Sequence, residues 1–224
     1  MPYHDTNIIN DHFVKIATDP NYDWEAVVCA TQQRMGKTTP SGYYSKGDVA
    51  LMLARIRRTS PSIDDIPYLV YRDCYEELSS VVTKIVNLSF ELGRVTSAWC
   101  TAVITPVPKC TPITGPEDLR PISVTPILSR MVERLVVKDH ILPAISIDDL
   151  QDQYGFKPTG STTAAIINFT HAVTVMLESN KYVPCLLVDF SKAFDSVDHL
   201  ALVKKLKRYN IADNIIDWIV FIFN

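Results

Sequence analysis

Helical and strand-like stretches follow one another along this chain at unequal spacing, and that mixture points to an α+β fold rather than a doubly wound sheet. Two further observations support it. Apolar residues recur at helical spacing in several segments, and two short apolar runs, Ala98 to Val107 and Val183 to Phe190, read as strands. With 224 residues, 47% of them apolar, the chain is long enough to bury a substantial core. It shows no internal repeat.

Residues 1 to about 45 are weakly patterned and end in the turn-rich stretch GKTTPSGYYSKG, so they read as a linker or an ordered lead-in to a domain over 46–224. Asp48 is a candidate N-cap for a helix carrying Val49, Met52, Leu53 and Ile56. Residues 60–67, SPSIDDIP, form a loop by their prolines and aspartates. A longer helix follows, with Leu78, Val81, Val82, Ile85 and Leu88 on one face and Gly93 where a C′ glycine belongs. Past the first strand, Lys109 to Asp118 is a loop. Thr125-Pro126 suits an N-cap and first helical position. Ile127, Leu128, Met131, Val132, Leu135 and Val136 then make an apolar face that runs until Pro143. Gly160-Ser161 opens a helix striped by Ile166, Phe169, Val173 and Met176. Val183 to Phe190 is expected as a buried strand, and Asp195 or Ser196 as the cap of a helix carrying Leu200, Val203 and Leu206.

Lys+Arg 22 against Asp+Glu 25 gives a net charge of −3, which excludes a generally basic nucleic-acid binder but not a local basic site. The 5 cysteines are odd in number and contain no C-x-x-C pair, so neither zinc nor a disulfide framework is expected, and a reducing compartment fits. The N-terminus lacks the apolar core of a signal peptide. No apolar run approaches the roughly 20 residues that span a bilayer. An intracellular location, nucleus or cytoplasm, without membrane attachment is the expectation.

The densest chemical signal is the stretch from Leu186 to His199, where the second apolar run ends in Asp189. A carboxylate at the end of a buried strand needs a partner, because an unpaired buried charge costs several kcal/mol. That partner is a metal ion, Lys192 or the cap of the next turn, and the residues alone leave the three open. A basic run from Lys192 to Arg208 faces either a phosphate backbone or solvent.

VDFSKAFDSVDH resembles the first palm motif of reverse transcriptases from LINE-type (non-LTR) retrotransposons. Upstream segments agree in order: SPSIDDIP at 60–67, Asn87 to Gly93 with Ala98-Trp99, Val107-Pro-Lys109 with Leu119 to Ser123, and QYGFKPTGST at 153–162. The resemblance covers roughly residues 60–224. It implies fingers (46–180) and the start of a palm (181–224) of a right-hand polymerase, truncated. The implied partners are an RNA template, a DNA primer and deoxynucleoside triphosphates. The implied chemistry is nucleotidyl transfer by a primer hydroxyl, with two Mg²⁺ ions activating the nucleophile and neutralising the leaving charge. By the same resemblance Asp189 and the backbone carbonyl of Phe190 are metal ligands, and Phe194 excludes a ribose 2′-hydroxyl. Lys109 and Arg120 hold the triphosphate, a point charge and a planar fork. Lys157, Gly160 and Ser161 fall in a segment that touches template, nucleotide or neighbouring fingers.

The sequence also departs from the family. Ser62 stands where glycine is usual, Thr96 where proline is, and Lys157 where arginine is. The second palm motif, the paired-aspartate strand and the thumb are absent from these residues. One carboxylate cannot hold two Mg²⁺ ions, so the chain alone is expected to be inactive. The apolar run from Ile215 to Phe223 is expected to be left uncovered, with self-association as the outcome. The rival readings are a non-catalytic remnant that binds RNA or a protein partner, and a Mg²⁺-dependent hydrolase. The hydrolase fits less well, because Ser191 occupies the position where its second aspartate would follow.

Overall fold

The computed structural model describes residues 6–32, 36, 43–157, 159–190 and 192–223. Part of the expected lead-in, and Pro158 and Ser191 within two of the motifs, lie outside the described residues. The helices are α1 (Thr6–Ala17), α2 (Trp24–Gln32), α3 (Lys46–Ala54), α4 (Tyr68–Asp73), α5 (Tyr75–Leu92), α6 (Ile127–Val136), α7 (Thr162–Ser179), α8 (His199–Leu206) and α9 (Asp213–Ile222). Strands β1 (Val103–Pro108) and β2 (Leu119–Val124) pair as an antiparallel hairpin. This mixture of helices with a small sheet agrees with an α+β class. Two compact units result, one over Met1–Ala144 and Val197–Asn224, the other over Ile145–Ser196.

In the first unit the core gathers residues from α2, α3, α5, α6, α8 and α9. Helix α3 starts at Ser45 rather than Asp48. The Ser45 hydroxyl accepts the Asp48 N–H at 3.2 Å and the Asp48 carboxylate accepts the Ser45 N–H at 2.9 Å. This reciprocal pair is a capping box, which makes Asp48 its third residue and not its cap. Helix α5 stops where expected, with Gly93 left-handed at φ 60 and the Arg94 N–H donating to the Ser89 carbonyl at 2.9 Å. Ahead of α3, the Asn87 amide grips the backbone of Tyr44 at both ends, donating to its carbonyl at 2.9 Å and accepting its N–H at 3.0 Å. Ser62 is buried and its hydroxyl donates to the Val124 carbonyl, which ties the 60–67 loop to β2.

Helix α9 corrects one expectation. Ile215, Ile216, Trp218 and Val220 are buried, and Phe221, Ile222 and Phe223 are half-buried. The helix lies along α5. The Phe90 and Trp218 rings sit 5.4 Å apart, the Trp218 indole N–H donates to the Ser89 hydroxyl at 3.2 Å, and the Asn214 amide donates to the Phe90 carbonyl at 2.9 Å. The apolar run at 215–223 thus covers the core, and self-association through an exposed C-terminus loses its basis. The Lys207 ammonium donates to the carbonyls of Ala30 and Thr31 in the last turn of α2, where a helix leaves carbonyls unpaired and favours a cation.

The second unit is built differently. Ser161 caps α7 by accepting the Ala164 N–H at 3.1 Å, as its sequence suggests. Yet no described residue of 145–196 is buried, and the stripe of Ile166, Phe169 and Met176 is exposed. The expected strand from Val183 to Phe190 is not formed. Those residues adopt no regular structure, and Leu186 and Leu187 are 90% and 88% exposed. A strand exists only by hydrogen bonding to a neighbour, and the hairpin is the only sheet among the described residues. The first strand is also shorter than expected, because Ser97–Cys100 is a 3₁₀ turn that buries Trp99. Asp198, rather than Asp195 or Ser196, caps α8 by accepting the Ala201 N–H at 3.1 Å.

Candidate active site

The hairpin carries two of the expected nucleotide-binding residues. Val107 pairs with Arg120, and beyond the end of β1 the Lys109 N–H donates to the Asp118 carbonyl at 2.7 Å. That bond marks a hydrogen-bonded pair. By antiparallel alternation, Pro106 and Pro121, which face each other, fall at a pair where the ladder asks for no N–H. Two prolines are thus accommodated in the sheet. The same alternation sets the side chains. Lys109 lies two residues beyond Val107, and Arg120 is directly across from Val107, so both cations emerge on one face as diagonal neighbours.

Burial and the Asp118 carboxylate push Cys110 above the usual thiol range, and the positive charges of Lys109 and Arg120 both pull against that shift. The connecting loop is organised by Asp118. Its carboxylate accepts the Thr114 hydroxyl at 2.6 Å, the Thr114 N–H at 2.8 Å and the Gly115 N–H at 3.3 Å. These bonds favour the charged form and hold Asp118 down to about 2. The Lys109 ammonium donates to the Glu117 carbonyl at 2.5 Å, and Lys109 and Arg120 are both exposed.

The remaining expected site residues belong to the Ile145–Ser196 unit. Asp189 is exposed, not held at the end of an interior strand, and Phe190 beside it is exposed as well. Phe194 sits in a turn closed by Asp195 and Ser196 N–H groups on the Lys192 carbonyl, at 3.0 and 3.1 Å. Its ring meets Phe156 of the QYGFKPTGST segment edge-on at 5.9 Å. The Lys157 ammonium donates to the Leu150 carbonyl at 2.9 Å, and a Cβ on Gly160 would run into the Tyr154 carbonyl. Among the described residues no group of three or more His, Cys, Asp or Glu side chains is placed to hold a metal ion. One exposed carboxylate and one backbone carbonyl do not make a Mg²⁺ site, so the residues present do not fit the two ions that the resemblance implies.

Residues 107–224, a stretch that includes all these positions, match the family model for reverse transcriptase (RNA-dependent DNA polymerase). The chain belongs to the reverse transcriptase family. Its resemblance to the LINE-type (non-LTR) enzymes is borne out by its relatives. It is 26% identical over 155 residues to a probable RNA-directed DNA polymerase from transposon BS of Drosophila melanogaster, covering 67% of this chain and 17% of that protein. It is 28% identical over 164 residues to the Pol polyprotein of the type-2 retrotransposable element R2DM of the same species, covering 72% of this chain and 15% of that protein. The RNA-directed DNA polymerase from mobile element jockey, also of Drosophila melanogaster, is 28% identical over 128 residues, covering 55% of this chain and 14% of the relative. The chain spans under a fifth of the length of each of these curated relatives.

Three contributions are not legible in the sequence of this family member. Asn87 holds the lead into α3, and Lys207, part of the basic run, caps α2 instead of standing free. A group of arginines on α6 and in the turn after α3 was also missed, although Arg130 and Arg134 stand four apart on one helix face.

Proposed function

We propose that this chain forms the fingers, over 46–180, and the first part of the palm, over 181–224, of a LINE-type RNA-directed DNA polymerase, preceded by a lead-in over 1–45. Its work in that enzyme is to grip the incoming deoxynucleoside triphosphate over an RNA template and DNA primer. The observation that carries this reading is the hairpin face shared by Lys109 and Arg120 in a chain of this family. An ammonium and a planar guanidinium side by side suit a triphosphate, the fork taking two oxygens and the point charge a third. Phe194 is proposed as the side chain that rejects a ribose 2′-hydroxyl, with Phe156 behind its edge as support.

Asp189, with the Phe190 carbonyl, is proposed as one metal-binding contribution to the palm. A single exposed carboxylate is insufficient alone, and no catalytic step is assigned to these 224 residues by themselves. Intracellular work, in nucleus or cytoplasm, follows from the proposed template and primer. No helix among the described residues is long and apolar enough to cross a membrane.

Titration of the chain with a fluorescent deoxynucleoside triphosphate tests the grip. Arg120→Ala and Lys109→Ala are each expected to weaken binding about tenfold, the scale of one charge-assisted hydrogen-bonded pair. Equal affinity in wild type and both variants would remove the proposal. Primer extension with Mg²⁺ is expected to give no product, and incorporation abolished by Asp189→Ala would show that the chain assembles a complete catalytic centre after all.

A further inference from the structure

A cavity of about 480 Å³ opens between the turn after α3 and the outer face of α6 in the first unit. It is lined by Ile56, Arg57, Arg58, Thr59, Ile127, Arg130, Met131 and Arg134, and so by four guanidiniums and no carboxylate. It shares no lining residue with the hairpin face. In a chain of net charge −3, this is a local concentration of positive charge. None of the four arginines forms an ion pair among the described residues.

Arg130 explains why the cluster persists. Its two terminal nitrogens donate to the Thr59 hydroxyl and the Ser60 carbonyl, each at 2.7 Å. The side chain thereby holds the turn that presents Arg57 and Arg58 against α6. Its Nε–H is buried and has no hydrogen-bond partner among the described residues. A buried donor without an acceptor is destabilising, because it has given up water and gained nothing in return. Burial and the charge of Arg134 pull the Arg130 guanidinium below its ordinary value, with Glu133 and Asp64 opposing them. Glu133 is already engaged, accepting the Ser129 hydroxyl at 2.7 Å. The pocket therefore combines mutual repulsion with an unanswered donor, and an anion relieves both.

We infer that this pocket binds a backbone phosphate of single-stranded nucleic acid. Guanidinium forks match the paired oxygens of a phosphodiester, and Ile56, Ile127 and Met131 give the attached sugar an apolar floor. The inference rests on the nucleic-acid-copying reading but not on the assignments of Asp189, Lys109 or Arg120.

The test is binding of a labelled single-stranded RNA to the full chain over a range of salt concentrations. The variants are Arg57→Gln with Arg58→Gln, and separately Arg134→Gln. All three side chains are exposed and, unlike Arg130, hold no loop in place, and circular dichroism checks that the fold is kept. Each variant is expected to weaken binding about tenfold and to flatten the salt dependence by ~0.7 in log–log slope for each phosphate that is no longer neutralised. Unchanged affinity and slope in both variants, or no RNA binding by the wild type, would overturn the inference. Competition separates the sources of phosphate. Inorganic phosphate and a deoxynucleoside triphosphate are expected to leave the RNA in place at concentrations that saturate the hairpin face. Displacement that vanishes in the pocket variants would reassign the site to a free phosphate and defeat the backbone assignment. Loss of the Lys109 and Arg120 effects on nucleotide binding would defeat the triphosphate grip while leaving this result standing.

Discussion

Helices α5 and α7 are each 18 residues long, and each carries an apolar stripe in its sequence. Helix α5 buries Val82, Val86 and Phe90 under α3 and α9, whereas α7 buries none of its residues. The difference is not in helix-forming signals. Ser161 starts α7 with a side-chain cap, while α5 has no such cap and is closed only at its end by Gly93. What separates them is whether another element brings an apolar face to meet the stripe. Local structure is written in each segment, and burial is a property of pairs of segments.

That contrast breaks most visibly on truncation of a large side chain. Trp218→Ala, at the buried face of α9 against α5, is expected to cost about 3–5 kcal/mol, read by chemical denaturation. Phe169→Ala on α7 is expected to stay within about 0.5 kcal/mol, since the ring has no buried surroundings to lose. A similar loss from both would show that α7 packs against a core.

Gly93→Ala is the next largest. The residue must hold φ 60, and its Cβ would stand 2.9 Å from the Asp217 Cβ on α9. A loss of about 1–2 kcal/mol, measured by urea unfolding, is expected from strain and the displaced helix together. The two caps sharpen the comparison further. Asp198→Ala is expected to lower the stability of the core unit by about 1 kcal/mol, because α8 buries Val203 and Leu206. Ser161→Ala removes an equivalent cap yet is expected to leave the core transition in place, and only the amides of the first turn of α7 are expected to exchange faster. The smallest effect is a pH response in the hairpin loop. Asp118 is held at about 2, below the ordinary carboxylate value. Its support is therefore fully present above that ordinary value and disappears as pH falls toward about 2. The Thr114 amide resonance follows this change, and a shift centred near the ordinary carboxylate value would contradict the hydrogen bonding described.

How much of this was legible follows from the same distinction. The stop of α5 at Gly93, the apolar face of α6 and the Ser161 cap were readable, because each is decided within a few residues. Asp48 was misplaced by three positions because a capping box presents two equally suitable polar residues, and only backbone geometry says which is outside the helix. The stretch 183–190 and the run 215–223 were exchanged in kind. Both are apolar, but among the described residues the first meets no strand to pair with, while the second finds α5. Of the candidate site, Lys109 and Arg120 were legible as motif residues, while their common face depends on the hairpin register. Of the arginine pocket only the Arg130 and Arg134 spacing on α6 was legible, since Arg130 and Thr59 are 71 positions apart.

The bond between Ser89 and Trp218 joins positions 129 apart and has a consequence for the order of events during synthesis. While a ribosome is still adding the residues between them, Phe90 emerges with its apolar ring facing water. The core unit cannot close before α9 has been made, so the apolar groove along α5 stays uncovered until the last of its partners arrives.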